Sequence, residues 1–164
     1  MSAYPEAGLP CMKQDQVRVI VTHALRLLLR NDAFLLEHAA HERSITHKLA
    51  EYLQQQLGSY HVDCEYSKHG IEAKRLPRHC NGSDMDRVFP DIVVHLRGAD
   101  ENNLLVIEAK LTPSPDVGVP ECDKIKLVEF TKPTGEYKYQ LGLFIGFDGL
   151  AEPRLVWFEG GVEL

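Results

Sequence analysis

Two short acidic segments carry the residue types from which a metal-dependent reaction could be built. Asp91 follows Pro90 at the start of one apolar run, and Glu108 and Lys110 lie at the end of a second. Side chains two residues apart on a strand point to the same face, so Glu108 and Lys110 would share one side of a sheet. Two carboxylates suit a hard cation that also takes oxygens from a phosphate, and a lysine can orient a water. The pattern therefore favours hydrolysis of a phosphodiester bond.

The stretch between the two apolar runs is short enough to bring them together. Residues 88–96 and 104–111 are predicted strands, and residues 97–102 form the turn that joins them. So short a connection predicts an antiparallel hairpin, in which the start of one strand lies beside the end of the other. Asp91 should therefore lie close to Glu108 and Lys110. The run at 104–107 is apolar on both faces, which predicts a central strand covered on both sides.

A further acid is predicted on a helix that precedes the hairpin. Residues 33–57 are predicted to form one helix, and Glu42 lies near the middle of its apolar stripe. A carboxylate in that position costs several kcal/mol unless a cation pairs with it. Glu42 is therefore expected to face the same metal site, as a ligand or through a metal-bound water. The alternative is a break in the helix near Glu42, which would leave it as an exposed acid of a first turn.

The remaining elements complete an α/β protein. Helices are predicted at 14–30 and 123–131, and strands at 61–66, 137–147 and 154–158. This order predicts an α/β sandwich on a mixed sheet flanked by helices. The polar stretch at 67–87 is locally basic, and it includes Arg75 and Arg78 as candidates for contacts with substrate phosphates.

Composition limits the classes of protein that need to be considered. The 164 residues are expected to form a single domain, 1–164, with residues 1–12 as a loose arm. The formal net charge of -6 gives no general attraction to nucleic acid, so such a partner would need a local basic patch. A signal peptide and a membrane-spanning run are not predicted. The four cysteines are scattered and are expected to be free thiols, which together favours a cytoplasmic protein with no membrane partner.

The two acidic segments resemble the motif of a known superfamily. Pro90-Asp91, a gap of sixteen residues and then Glu108-Ala109-Lys110 are similar to the motif of the PD-(D/E)xK nucleases, the restriction-endonuclease-like superfamily. The helical acid Glu42 and the α-β-β-β-α-β order over residues 33–147 resemble its core, here with an extra N-terminal helix. The chain is also similar to small uncharacterised bacterial proteins of this type.

The resemblance implies a set of roles for individual residues. Lys110 would be the catalytic lysine of a nuclease acting on DNA or RNA. Lys126, on the helix that follows, and Gln140, further on, would contact the substrate. The groups that would hold Mg²⁺ or Mn²⁺ are the carboxylates of Asp91, Glu108 and Glu42 and the carbonyl of Ala109.

Other interpretations stay open at this point. A catalytically silent protein of the same fold could bind nucleic acid or a protein partner. A separate DNA-reading domain is not predicted, so any sequence specificity is expected to come from a homodimer or a partner protein. A structural zinc site is a weaker alternative, because its candidate ligands lack the usual zinc spacing: His61, Cys64, His69, His79 and Cys80. A purely structural role with an exposed aromatic face is a further alternative.

Overall fold

In the computed structural model of the protein, the residues described are 12–69, 72, 73, 75, 88–111 and 118–164. They contain four helices: α1 (Gln14–Asn31), α2 (Ala33–Glu37), α3 (Glu42–Gln56) and α4 (Glu121–Thr131). They also contain eight strands: β1 (His61–Cys64), β2 (Lys68–His69), β3 (Glu72–Ala73), β4 (Ile92–His95), β5 (Leu105–Leu111), β6 (Leu141–Phe147), β7 (Arg154–Glu159) and β8 (Val162–Glu163). The protein is therefore α/β, as the element order predicts.

Six of these strands form one mixed sheet in the order β1-β4-β5-β6-β7-β8. The pair β4–β5 is antiparallel and β5–β6 is parallel, so the chain makes a helical crossover between β5 and β6 through α4. The predicted hairpin and the predicted mixed sheet are both confirmed. Strands β2 and β3 pair with each other in a separate two-stranded ribbon.

Strand β5 is the centre of the molecule. Its residues from Leu105 to Ala109 are all buried, which confirms the prediction of a strand covered on both faces. Alternate side chains point to opposite faces. Ile107 belongs to the core under α1 and α3, whereas Val106 belongs to the core under α4. Glu108 shares the face of Val106 and is therefore directed toward α4.

The prediction of one helix over 33–57 is wrong. Helix α2 ends at Glu37, and Ala39 adopts a positive φ of 45°. The Ala39 N–H donates to the Leu36 carbonyl and the Ala40 N–H to the Leu35 carbonyl. These two bonds make a Schellman cap, which usually carries glycine where this chain has Ala39. Helix α3 then begins at Glu42, so the alternative of a break near Glu42 is the one observed. Glu42 is a half-buried first-turn residue on the same face as the buried Ile45 and Leu49.

Smaller differences concern strand lengths and cysteines. The strands predicted at 61–66, 88–96 and 137–147 are shorter, because only residues 61–64, 92–95 and 141–147 make ladder pairs. The expectation that every thiol is free is also wrong: Cys64 is free, but Cys122 is disulfide-bonded. Among the described helices, none combines the length and apolar character that crossing a bilayer requires.

Candidate active site

Asp91 is held directly against the central strand. The pairing of Ile92 with Ile107 sets the hairpin register, and continuing it by one step places Asp91 opposite Glu108. The backbone N–H of Ala109 donates to Asp91 Oδ2 at 2.7 Å. Burial raises the pKa of Asp91, and this bond opposes the rise. The predicted approach of Asp91 to the end of β5 is therefore confirmed, and one of its carboxylate oxygens has a fixed position.

Glu108 is the most deeply buried acid of the site. Its side chain is 1% exposed, and Lys126 Nζ donates to its Oε2 at 3.1 Å. Its other oxygen, Oε1, has no hydrogen-bond partner within the described part of the chain. Burial raises the pKa of Glu108 to about 8, with Lys126 opposing the rise and Asp91 adding to it. An unpaired and buried carboxylate oxygen is an energetic cost that a bound cation would relieve.

Lys110 is restrained by Glu42. Lys110 Nζ lies 3.1 Å from Glu42 Oε1, and the backbone N–H of Leu111 donates to Glu42 Oε2 at 3.4 Å. Burial lowers the pKa of Lys110, but the charges of Asp123 and Glu42 outweigh it and the net shift is upward. Lys110 is therefore an ammonium at neutral pH, suited to orienting a water or a phosphate and not to accepting a proton. Glu42 reaches the site from the first turn of α3, by a different route from the one predicted.

Helix α4 supplies the other two charged groups of the site. Its first turn begins after Pro120, and its apolar residues Leu127 and Phe130 pack on the sheet. That packing places Lys126 above Glu108, as the resemblance implies for a basic residue of this helix. Asp123, three residues earlier, is 3% exposed, and its Oδ1 lies 3.6 Å from Lys126 Nζ. The sequence reasoning missed Asp123, although residues three apart on a helix share a face, so choosing Lys126 could have revealed it.

Two other candidates are not brought to this site. Gln140 precedes β6 and donates its backbone N–H to the Asn103 carbonyl, at the far end of β5 from Glu108. Continuing the register of β5 and β6 by one step places Gln140 opposite Leu104, four residues before Glu108, or about 13 Å at 3.3 Å per residue. The backbone of Arg75 is bonded through both its N–H and its carbonyl to the hydroxyl of Tyr137, also at the far end. Arg78 lies outside the described residues.

The donor atoms present fit a hard cation, although a preformed cage is absent. Among the described residues, no three His, Cys, Asp or Glu side chains are grouped so that they alone could hold a metal ion. Mg²⁺ is commonly bound by only one or two protein carboxylates, with waters and phosphate oxygens completing its shell. Asp91 and the unpaired Oε1 of Glu108 supply that donor set, and Ala109, whose carbonyl is the further candidate ligand, directly follows Glu108 in the chain.

Comparisons with known proteins found no relative. No protein-family model matches the chain, and no curated protein or solved structure matches it significantly. The interpretation of the site therefore depends on its own geometry.

Proposed function

We propose that this protein is a Mg²⁺- or Mn²⁺-dependent nuclease that hydrolyses phosphodiester bonds in DNA or RNA. The observation that carries the proposal is the meeting of Asp91, Glu108 and Lys110 at one end of β5, where the Ala109 N–H fixes Asp91. These residue types match the chemistry: two hard oxygen donors and one permanent positive charge. The restriction-endonuclease-like core belongs to the same proposal, and the mixed sheet with its α4 crossover is consistent with it.

Each residue has a distinct role in this proposal. Asp91 and Glu108 would hold the cation, which when bound acidifies a water and neutralises charge on the phosphate. Lys110 remains charged and directs its ammonium at the water or at a phosphate oxygen. Glu42 is a positioning residue, because it holds the Lys110 ammonium at 3.1 Å and is itself held by the Leu111 N–H. Lys126 would pass from Glu108 to the substrate phosphate when the cation binds.

The test is a Mg²⁺ and Mn²⁺ titration with labelled single- and double-stranded DNA and RNA. The variants are Asp91→Asn and Lys110→Met. The matched control is Lys48→Met, which removes a lysine that pairs with Glu51 on the outer surface of α3. We expect metal-dependent cutting by the wild type and the control, and a loss of at least about a hundredfold in each site variant, as for other groups that stabilise a developing charge. An inert wild type on every substrate, or cutting that survives both changes, would refute the proposal.

A second candidate is a silent binding protein of the same fold. The ion pair between Lys126 and Glu108 favours it, because an internal ammonium can satisfy a buried acid without any metal. In that case millimolar Mn²⁺ would leave the melting temperature unchanged, while nucleic acid would still shift the protein in a gel. A metal-dependent rise in melting temperature that Asp91→Asn abolishes would exclude this candidate.

A further inference from the structure

Asp123 is a buried acid that the motif does not include. It lies in the first turn of α4 with 4% of its side chain exposed. Its Oδ1 is 3.6 Å from the Lys126 ammonium, and its Oδ2 has no hydrogen-bond partner among the described residues. Leaving a buried polar atom unpaired typically costs about 1–3 kcal/mol, and more when the group is charged. A buried and unpaired carboxylate oxygen is therefore expected to have a function that offsets this cost in stability.

Glu108 has the same arrangement on the opposite side of the ammonium. Its Oε2 is 3.1 Å from Lys126 Nζ, and its Oε1 is buried and unpaired within the described ranges. The two carboxylates come from different elements, strand β5 and helix α4, and both converge on one cation. In each carboxylate, one oxygen faces the Lys126 ammonium and the other has no hydrogen-bond partner among the described residues. Lys126 lies on the solvent side of the two carboxylates, because 24% of its side chain is exposed.

We propose that Glu108 and Asp123 form a divalent-cation position that the Lys126 ammonium occupies when no metal is bound. On metal binding, the ammonium moves outward along its flexible four-carbon chain, and all four carboxylate oxygens become available to the ion and its waters. The displaced ammonium then lies at the entrance, where it can contact an anionic substrate. The position shares Glu108 with the proposed nuclease site and adds Asp123 to it, so the inference rests on the proposed function only through Glu108.

A purely structural ion pair would behave differently from this arrangement. If Lys126 only anchors α4 to β5, its removal should destabilise the protein and leave divalent cations unaffected. If Lys126 occupies a cation position, its removal leaves two buried carboxylates without a cation, and a divalent ion should bind there more tightly. The sign of the change in metal affinity therefore separates the two roles.

The experiment measures Mn²⁺ binding to the full chain without nucleic acid, from the electron paramagnetic resonance signal of the free ion. We expect Asp123→Asn to weaken binding about tenfold or more, as for other groups that support a metal site. Lys126→Met should tighten binding about tenfold, because it removes a positive charge that competes for the same oxygens. The matched control is Glu129→Gln, which alters another buried acid of α4 that pairs with Lys132. It should bind Mn²⁺ as the wild type does.

Each outcome decides the inference. It is overturned if the wild type binds no Mn²⁺, if Asp123→Asn binds like the wild type, or if Lys126→Met weakens binding or leaves it unchanged. Circular dichroism checks the fold of each variant, and Lys126→Met decides the question alone if Asp123→Asn does not fold. The nuclease proposal fails separately: a chain that cuts no nucleic acid but shows both shifts in Mn²⁺ affinity keeps the cation position and loses the activity.

Discussion

Replacing Glu108 by glutamine should make the metal-free protein more stable, and the gain should grow with pH. Burial raises the pKa of Glu108 from its ordinary value of 4.5 to about 8. Between those two values the folded protein binds more protons than the unfolded chain, so the free energy of unfolding falls as the pH rises through this window. Below pH 4.5 the penalty is absent, and above pH 8 it is complete. A carboxamide cannot ionise and avoids the penalty at every pH.

The size of the effect follows from the shift. Each pKa unit corresponds to about 1.4 kcal/mol, so the full shift sets a ceiling of about 5 kcal/mol. Local relaxation around a newly buried charge reduces the real penalty below that ceiling. Between pH 5 and pH 9, we expect the stability advantage of Glu108→Gln over the wild type to increase by about 2–4 kcal/mol. Few single substitutions of a buried polar residue stabilise a protein by that amount.

The assay is urea unfolding followed by circular dichroism at pH 5, 7 and 9, with EDTA present so that no divalent ion pairs with Glu108. The control is Glu37→Gln, which removes an exposed acid at the end of α2. It should change the free energy of unfolding little, and equally at each pH. An advantage of Glu108→Gln that is absent, or that stays constant from pH 5 to pH 9, would refute the assignment of Glu108 as an acid held at a cost in stability.

Three further predictions concern the elements that position the site. Ala39→Gly should raise the free energy of unfolding by about 0.5–1 kcal/mol in urea titrations, because Ala39 has a φ of 45° that glycine adopts without strain; a loss of stability would contradict the cap. Gly142→Ala should lower the free energy of unfolding by about 1–3 kcal/mol, because the added methyl would lie 3.1 Å from Thr131 and 3.3 Å from Leu127 on α4. An unchanged free energy of unfolding would show that α4 can move away from the methyl at no cost. The pKa of Asp63 is lowered because hydrogen bonds, first from Arg97, outweigh its burial. The wild type should therefore lose stability as the pH falls through the folded pKa, below about 4, and Asp63→Asn should lose less over that range; parallel acid-unfolding curves would disprove this.

The hairpin that brings Asp91 beside Glu108 and Lys110 can be predicted because its determinants are local. Only nine residues, 96–104, connect β4 and β5, and this short connection between two apolar runs sets the antiparallel pairing. The pairing alone brings Asp91 to the end of β5. A shift by one residue would turn Glu108 to the face under α1 and α3, so the register is strongly specified. For these reasons the amino-acid sequence alone is enough to group Asp91, Glu108 and Lys110.

The break between α2 and α3 is only an alternative at the level of the sequence, because its residues favour a helix. Residues 38–41 contain two alanines and no glycine or proline, so neither propensity nor a breaker residue marks an end. On either side of the cap, Leu36 of α2 and Ile45 of α3 are buried in the same core, which is a non-local contact. The helical periodicity over 33–57 therefore predicts correctly that Glu42 faces the end of β5, although the helix is interrupted between α2 and α3.

The separation of Gln140 from the site depends on non-local pairing. Strand β6 runs parallel to β5, with Leu141 opposite Leu105 and Gly146 opposite Lys110. The predicted helix between the two strands favours a parallel crossover, but the sequence does not show which strand β6 pairs with or in which register. The parallel direction places the beginning of β6 at the end of β5 that is remote from Glu108.

The net charge of the side chains around the Glu108 end of β5 favours binding of a divalent cation. Four carboxylates lie around the Glu108 end of β5, and two ammonium groups oppose them: Glu42, Asp91, Glu108 and Asp123 against Lys110 and Lys126. With every group ionised, these described residues have an excess of two negative charges in a mostly buried place. Without metal, the chain can reduce that excess by keeping a proton on Glu108, consistent with its raised pKa. One divalent ion would balance the charge and release that proton, so metal affinity should rise with pH up to about 8, in step with the loss of stability of the metal-free protein.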